Sequence, residues 1–450
     1  MGSAAAVRGE TLVSVVQSWE REVLATPESV SEWKRARSRR RFAADAVPAD
    51  RRGKPGGKGP AGWRRKPADE DLLRFMTLHG VVSLRQAAHW FYGGKISTAR
   101  HRVRSMEDAG LLTRNQDQPW AGVVLVPTLD GQTVGLETAE FPVSHSSLRG
   151  HMTVPANLLH RLLVADQTLA ARARGRTVIS ERQIRMLEAR DESQSHRFLQ
   201  SVGVHYSSDG VAAGVVPSRL TLIDEGPAGT TVVGERNTWL GLPVRTDWDN
   251  RVAPYSPQRS GLRFPDFIEV LESGELAAVE VEVATKSEAR MKMLVDGYRS
   301  SLPSVEDIVD ANGAPGKRLR RGQFRHCRWV VSPEVRVVLQ GTTNFISGGH
   351  QDGLLQKLMP DVYAQNFDWS KQTDKLPVRV IPATSEDTGV QYALDQRNLE
   401  PQYRCDYRTW LRWRRLWEAQ IPADKRAVYT FARWIRTADN LEICRRLVRG

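Results

Sequence analysis

The stretch that decides the fold is Arg263 to Ser300, RFPDFIEVLESGELAAVEVEVATKSEARMKMLVDGYRS. Two runs within it, Phe267 to Leu271 and Leu276 to Val283, are typical of β-strands. Ser273-Gly274 lies between the runs and predicts a hairpin turn. Apolar residues then recur at helical spacing, which predicts a helix from Ser287 to Arg299. The segment therefore predicts a strand–strand–helix unit within a larger domain.

Acidic residues mark one face of the second predicted strand. Glu280 and Glu282 alternate with valines and point to the same side, roughly 6.6 to 7 Å apart along the strand. Asp266 stands at the start of the paired strand, and Lys286 follows just beyond the second. Carboxylate oxygens suit Mg²⁺, which lowers the pKa of an attacking water and offsets the charge of a phosphate. The group predicts a site for a divalent metal and a phosphodiester.

A simpler interpretation of the same strand needs no chemistry. Valines inward and glutamates outward are what any half-solvated antiparallel sheet shows. The register of the hairpin separates the two interpretations, because directly paired residues face the same side. A two-residue turn pairs Asp266 with Val281, whereas a three-residue loop pairs it with Glu282. The metal-site interpretation therefore predicts a loop of odd length, or a bulge at Gly274, with Asp266 on the face of Glu280.

The region before this segment predicts three helices and a hairpin. The helices are expected at 69–79, from the capping-box sequence Ser83 to Gln86 through about Tyr92, and at about 97–109. Strand-like runs at 111–113 and 121–126 follow, which completes the order of a winged helix-turn-helix. The inward stripe of the third helix is expected to be Ile96, Ala99, Val103 and Met106.

Basic residues gather around the third helix, and it is the element expected to enter a major groove. Arg and Lys donate to phosphates and base edges. A contact surface for another protein is the alternative for the same helix. The predicted DNA-binding residues are Lys95, Arg100, His101, Arg102 and Arg104.

The net charge of +13, from 65 Lys and Arg against 52 Asp and Glu in 450 residues, is unevenly distributed. Residues 34–66 hold thirteen basic residues against two acidic ones, including Arg39, Arg40 and Arg41, and cannot bury enough apolar surface to fold alone. They predict a flexible arm, either an inert linker or a DNA-phosphate contact. The C-terminal 50 residues hold twelve basic residues against five acidic ones. The basic charge thus indicates a polyanion partner.

The C-terminal region is rich in tryptophan and arginine. Aromatic residues from Tyr403 to Trp417 share a helical face, with Arg408, Arg412 and Arg415 on another. The aromatics either form a core, or provide a partner groove or a nucleic-acid surface on which bases stack. Residues 425–449 repeat this composition and predict a docked helical hairpin.

Several classes of protein are excluded. No apolar run approaches the roughly 18 to 20 residues of a membrane span, and the N-terminus lacks the apolar stretch of a signal peptide. Cys327, Cys405 and Cys444 form no CxxC pair and no disulfide framework. We expect a cytoplasmic bacterial protein, associated with the nucleoid or a plasmid, with no membrane partner.

At Pro265-Asp266, the Val279 to Val283 strand and Lys286-Ser287, the chain resembles the PD-(D/E)xK nuclease superfamily. With the winged-helix segment and the helices from His160 to Met186, it resembles more closely the actinobacterial replication-relaxation proteins of plasmids and mobile elements. The resemblance covers about 69–340. It implies that Asp266 and Glu280 hold Mg²⁺ or Mn²⁺. Glu282 stands where the superfamily usually has lysine, which Lys286 could replace, and Glu181 is the candidate upstream helical acid.

The sequence thus predicts an α+β protein with a winged helix-turn-helix, a PD-(D/E)xK-like mixed-sheet domain and a helical C-terminal region. Its expected function is metal-dependent DNA cleavage, with Asp266, Glu280, Glu282, Lys286 and Glu181 as catalytic residues. The alternative is a DNA-binding factor without catalysis on the same fold. DNA, other mobile-element proteins and a second copy of the chain are the expected partners. The predicted divisions are a short amphipathic helix in 1–33, the basic arm at 34–66, the winged helix at 67–150, the nuclease-like domain at 151–345 and the Trp/Arg-rich region at 346–450.

Overall fold

The architecture of the chain is taken from a computed structural model. It describes residues 63–117, 121–137, 154–155, 157–188, 192–207, 214–226, 229–243, 262–284, 286, 288–309, 313–332, 335, 339, 341–343, 350–353, 357, 378–382, 390–422, 425–426, 429–437 and 440–444. The helix expected within 1–33 and the basic arm up to residue 62, with Arg39, Arg40 and Arg41, lie outside the described residues. Within the described part, no helix has the length and apolar character needed to cross a membrane.

Helices and mixed sheets combine in an α+β architecture, as predicted. The helices in chain order are α1 (Pro67–His79), α2 (Leu84–Phe91), α3 (Ile96–Asp108), α4 (Leu129–Glu137), α5 (Leu158–Ala173), α6 (Glu181–Glu188), α7 (Glu192–Ser201), α8 (Glu288–Ser301), α9 (Val390–Asn398), α10 (Tyr407–Gln420) and α11 (Phe431–Ile435). The strands are β1 (Val82–Ser83), β2 (Leu112–Asn115), β3 (Val124–Pro127), β4 (Thr177–Ser180), β5 (Ser218–Gly226), β6 (Gly229–Thr238), β7 (Leu242–Pro243), β8 (Leu262–Arg263), β9 (Phe267–Val270), β10 (Leu276–Glu282), β11 (Ser304–Val309), β12 (Pro315–Arg320), β13 (His326–Val331), β14 (Gly341–Thr343), β15 (His350–Asp352) and β16 (Val378–Pro382).

The first part of the described chain contains α1 to α4 and a three-stranded antiparallel sheet in the order β1-β3-β2. The predicted capping box starts α2: the Gln86 amide donates to Ser83 Oγ at 3.1 Å, and the Ser83 amide donates to Gln86 Oε1 at 2.9 Å. On α3 the predicted inward residues Ala99, Val103 and Met106 are buried, while Ile96 is half-buried. The three helices and the hairpin lie within a few residues of their predicted positions.

The second part is built on a five-stranded sheet in the order β16-β13-β10-β9-β4. Strands β10, β13 and β16 run parallel, and β9 is antiparallel to both β10 and β4. Helix α5 packs through Leu159 and Leu162 on the face that carries Val279 and Val281. Helices α6 and α8 pack on the opposite face, which carries Ile268, Ala278 and Trp329. Every residue of β9 and β10 is buried, so these strands are covered on both faces.

This double coverage decides between the two interpretations of the acidic strand. Only 5% of Glu280 and 3% of Glu282 are exposed to solvent. The half-solvated interpretation, in which both glutamates point into water, is therefore wrong. Burying carboxylates costs free energy unless partners compensate for it, so these two residues need a specific explanation.

The register of the β9–β10 hairpin also follows from its pairing. Val270 pairs with Leu276 and Phe267 with Val279, and the Leu271 amide donates to the Glu275 carbonyl at 2.8 Å, so three residues, 272–274, form the turn. The turn has an odd number of residues, as predicted, but it is shifted by one residue from the three-residue loop that would pair Asp266 with Glu282. Gly274 has φ 74°, and a Cβ there would lie 2.6 Å from the His205 ring. The pairing ends at Phe267 and Val279, and the Asp266 amide donates to the Val279 carbonyl at 3.1 Å. Asp266 lies close enough to Glu280 for their charges to interact.

Helix α5 connects the two parts of the molecule. Ala165 and Leu169 lie in the core formed by α1 to α3, while Leu159 and Leu162 contact the five-stranded sheet. Gln86 Nε2 also donates to the Leu162 carbonyl at 2.6 Å. The predicted domain boundary at residue 150 therefore does not separate two independent cores, because α5 contributes residues to both.

Downstream of α8 one prediction is wrong. The sequence EVRVVLQ of residues 334–340 predicts a strand, but Val335 and Leu339 have helical backbone and are buried four residues apart. His326 and Cys327, which the sequence predicts to be ordinary sheet residues, lie in β13, and Cys327 is fully buried. The short hairpins β5–β6, β11–β12 and β14–β15 and the pair β7–β8 complete the strands.

The C-terminal aromatic residues form a core. Trp410, Trp413 and Trp417 of α10 pack with Phe431 and Trp434 of α11. The core interpretation is therefore confirmed for these tryptophans, and stacking of bases on them is wrong because their rings are buried. The arginine-bearing face of α10 points to solvent.

Candidate functional site

The predicted acidic residues meet at one edge of the five-stranded sheet. Asp266 directly precedes β9, Glu280 and Glu282 end β10, and Glu181 directly follows β4. Phe267 pairs with both Val279 and Ser180. Glu181 and Asp266 therefore each adjoin one residue of the Ser180–Phe267 pair at this end of the sheet, and Glu280 follows Val279 in β10.

Asp266 is held by its neighbours as a charged group. Its Oδ2 accepts a hydrogen bond from the Val281 amide at 2.8 Å and lies 3.2 Å from Nε2 of His160 on α5. Burial opposes the charged form, but the His160 charge and both hydrogen bonds outweigh it, so the pKa of Asp266 is lowered. Burial also opposes the charged form of His160, which would lower its pKa. The charge of Asp266 and its hydrogen bond outweigh burial, so the pKa of His160 is raised. The two groups thus stabilise each other as an ion pair.

Glu280 behaves in the opposite way. Burial, and then the charge of Asp266, raise the pKa of Glu280 well above its ordinary value. Tyr298 of α8 donates its hydroxyl to Glu280 Oε1 at 2.6 Å, which partly compensates. Glu280 and Asp266 are therefore close enough for their charges to interact, yet they favour different protonation states. Such separation of paired carboxyl groups is typical of functional sites.

Glu282 and Lys286 form an ion pair. Burial raises the pKa of Glu282, and the Lys286 charge and hydrogen bond only partly reverse the shift. Asp266 and His160 also act on Glu282 through their charges. Lys286 therefore lies at the site, as expected, but it neutralises an acid of the site.

Glu181, the candidate upstream helical acid, is the first residue of α6 and has two arginines as partners. Arg161 donates to its Oε2 at 2.7 Å, and Arg185 donates to its Oε1 at 2.7 Å. The Arg161 charge also lowers the pKa of Asp266. Glu181 is thus linked to Asp266 through Arg161.

Two residues of the site, His160 and Tyr298, were missed as site residues in the sequence. His160 is a single histidine in an amphipathic helix, and Tyr298 is one more apolar position of α8. The residues near His160 in the sequence do not indicate its partner, because Asp266 lies 106 residues away. Among the residues that the structure describes, none forms a hydrogen bond with the buried Nδ1 atom of His160.

The chemistry of the donors fits a hard cation. Asp266, Glu280 and Glu282 offer only carboxylate oxygens, which suit Mg²⁺ or Mn²⁺. No group of three or more His, Cys, Asp or Glu residues among those the structure describes has an arrangement ready to hold a metal. Each acid is instead engaged with His160, Tyr298 or Lys286. A metal would therefore have to exchange with these partners.

The basic residues around α3 divide into two groups. Lys95, Arg100, His101 and Arg104 are exposed, in keeping with the expected contact surface. Arg102 departs from the expectation because its side chain is buried and forms an ion pair with Asp69. Arg102 therefore stabilises the packing of α1 against α3 and is not available to a ligand.

The stability of the protein should depend on the protonation of Glu280. A carboxyl group with a raised pKa favours folding below its ordinary pKa of 4.5, and this contribution is lost as pH rises above that value. Glu280→Gln keeps an acceptor for Tyr298 but cannot ionise. We expect the variant and wild type to be alike near pH 4.5, and the variant to be more stable by about 1–4 kcal/mol at pH 8.

Urea unfolding at several pH values measures this difference. Glu272→Gln is the matched control, because Glu272 lies at the tip of the hairpin with 90% of its side chain exposed. A stability difference between Glu280→Gln and wild type that stays constant from pH 4.5 to pH 8 would contradict the assignment.

No protein-family model, curated protein or solved structure matches the chain.

Proposed function

We propose that this chain is a DNA-binding protein of a plasmid or mobile element whose restriction-endonuclease-like domain cleaves or nicks DNA with Mg²⁺ or Mn²⁺. The activity would serve replication, mobilisation or defence. One observation carries the proposal: Asp266, Glu280 and Glu282 are largely buried together at one edge of a mixed sheet. A PD-(D/E)xK-like domain is the fold that we propose for this sheet with α5, α6 and α8.

The burial of three acids argues for a functional role. Each buried charge costs several kcal/mol that hydrogen bonds and ion pairs recover only in part. Apolar residues would fill the same positions without this cost, as Val279 and Val281 do on the other face. An edge that keeps three carboxyl groups with perturbed pKa values is accordingly a candidate for chemistry.

Each residue of the site has a proposed role. Asp266 and Glu280 would hold the metal, and Glu282 would hold a second metal or orient water. When bound, the metal would lower the pKa of the attacking water and offset the phosphate charge. Lys286 would leave Glu282 to stabilise the scissile phosphate. Glu181 would complete the acidic set only after exchanging its arginine partners.

DNA would reach the protein through its first part. We propose that residues 67–150 form a winged helix-turn-helix with α3 as the recognition helix and the β2–β3 hairpin as the wing. The exposed side chains that support this role are Lys95, Arg100, His101 and Arg104. Arginine and lysine in a major groove donate to base edges and phosphates.

A DNA-binding factor without catalysis is the second candidate. The observation that favours it is the complete pairing of the acids, with Asp266 bound to His160, Glu280 to Tyr298 and Glu282 to Lys286. On this alternative the acids are a buried polar network within a nuclease-like fold. Binding of DNA would be unchanged, and the protein would recruit other factors of the element.

Supercoiled plasmid incubated with the full chain separates the two candidates. With Mg²⁺ or Mn²⁺ the proposal predicts conversion to nicked or linear DNA, and with EDTA it predicts binding alone. Agarose gels measure the products, and several DNA forms should be tried because the recognised sequence is not known. Binding without any metal-dependent product would leave the second candidate, and absence of binding would contradict both.

A further inference from the structure

Helix α10 presents a row of arginines to solvent. We call Arg408, Arg412 and Arg415 the arginine stripe. They are exposed and follow the i, i+4, i+7 spacing of one helical face, so they extend about 10 Å along the helix. Within the described part of the chain none of them forms a hydrogen bond or ion pair through its side chain. The charges of the stripe are therefore available to a ligand.

The helix that carries the stripe is firmly fixed. Asp406 caps its N-terminus by accepting hydrogen bonds from the backbone amides of Arg408 at 2.9 Å and Thr409 at 3.1 Å. On the opposite face Trp410 is fully buried and donates to Asp395 at 2.9 Å. A rigid helix presents its exposed side chains in a constant arrangement, which lowers the entropic cost of binding an extended ligand.

The remaining arginine of α10, Arg414, differs from the three of the arginine stripe in its burial and its partners. Arg414 is buried and donates to Asp395 at 2.8 Å and to Glu418 at 3.3 Å. This inward arginine thus has two carboxylate partners, whereas the outward ones have none in the described structure. Glu418 is the acid of α10, and it is engaged with Arg414, so the stripe faces solvent with its positive charge uncompensated along the helix.

The start of α10 lies against the proposed DNA-binding part. The Arg85 guanidinium of α2 stacks over the Tyr407 ring, 3.6 Å from its centroid. Arg85 is exposed on the helix that packs directly on α3, and the positive charge of Arg100 acts on it. Arg85 therefore lies between the basic residues of α3 and the start of α10.

We infer that one DNA duplex extends from α3 across Arg85 onto α10, where the arginine stripe contacts the phosphate backbone. The inference rests on the proposed DNA binding and extends its site to the C-terminal region. A length of about 10 Å corresponds to about three base pairs of rise, so the stripe matches a short run of phosphates on one strand. Contacts of this kind position a duplex without reading its sequence.

Salt-dependent binding of the full chain to a labelled duplex tests the inference. Fluorescence anisotropy with a duplex of about three helical turns, in EDTA to prevent cleavage, gives the slope of log K against log salt. The stripe variant is Arg408→Gln, Arg412→Gln and Arg415→Gln together, and the α3 variant is Arg100→Gln with Arg104→Gln. Replacing the stripe by three lysines preserves charge and is the matched control.

We expect the stripe variant to lose about 2–3 units of slope and at least about tenfold in affinity at 0.1 M salt. The lysine control should retain the slope, and the losses of the stripe and α3 variants should add when combined. Thermal melting should be unchanged because all three arginines are exposed.

A stripe variant that binds like wild type, beside a weakened α3 variant, would overturn the inference and leave the proposed DNA binding in place. Absence of salt-dependent binding by the wild type would overturn both.

Discussion

Asp266→Asn is expected to abolish metal-dependent cleavage of plasmid DNA, with a loss of roughly 10³-fold or more. Asparagine keeps an oxygen that can accept from the Val281 amide, so the local backbone has its partner. The substitution removes the negative charge on which the proposed metal binding depends. His160, which faces Asp266 at 3.2 Å, also loses the anion that raises its pKa. We expect Glu280→Gln to give a loss of similar size.

Nicking rates from gels, measured beside the stability of each variant, give the comparison. Glu272→Gln removes an exposed carboxylate from the same hairpin and should cleave like wild type. DNA affinity in EDTA should be the same for all these proteins, since the acids do not belong to the basic surface. Cleavage that survives both Asp266→Asn and Glu280→Gln would show that the chemistry lies elsewhere.

Asp69→Ala is expected to have the largest effect on folding. The Asp69 side chain is fully buried and accepts hydrogen bonds from Trp63 Nε1 at 2.9 Å, the Tyr92 hydroxyl at 2.9 Å and Arg102. Removing the carboxylate leaves the Arg102 charge buried without its counterion. The expected cost is about 3–5 kcal/mol in the free energy of unfolding.

Urea unfolding of matched variants checks this value. Asp108→Ala removes an exposed acid from the end of α3 and should change stability by less than about 0.5 kcal/mol. Adding Arg102→Met to Asp69→Ala should recover part of the loss, because no unpaired charge then stays buried. An Asp69→Ala variant as stable as Asp108→Ala would contradict a structural role for the pair.

The local elements of the fold could be predicted because their signals are local. The capping sequence Ser83 to Gln86 and the alternation of Val279 to Val283 each determine an element through residues a few positions apart. The burial of Glu280 could not be predicted in the same way. It depends on α8 and Tyr298, which cover the face that alternation alone assigns to solvent.

The loop of the hairpin shows a second limit. Ser273-Gly274 favours a two-residue turn, yet the Leu271 amide bonds to the Glu275 carbonyl and the turn contains three residues, 272–274. Packing of Gly274 against His205, a residue far away in the sequence, accompanies this turn. The preference of residues for a turn is a local property, whereas the register of a hairpin also depends on tertiary contacts.

The positions of the basic residues along α3 indicate which of them is buried, whereas their number alone does not. Arg102 stands three residues after Ala99 and four before Met106, on the apolar stripe of the helix. Helical spacing therefore places it inward, apart from Arg100 and Arg104. Its partner Asp69, 33 residues earlier, could not be identified from spacing.

Titration with Mn²⁺ tests the central claim most directly, since it requires no knowledge of the DNA sequence that is recognised. The amount of free Mn²⁺ can be followed by its paramagnetic resonance signal in the presence of the full chain. We predict saturable binding by wild type and by Glu272→Gln, and strongly weakened binding by Asp266→Asn and Glu280→Gln. If wild type and the Asp266→Asn, Glu280→Gln double variant leave the same amount of Mn²⁺ free at every concentration, the acids at this sheet edge are not a metal site.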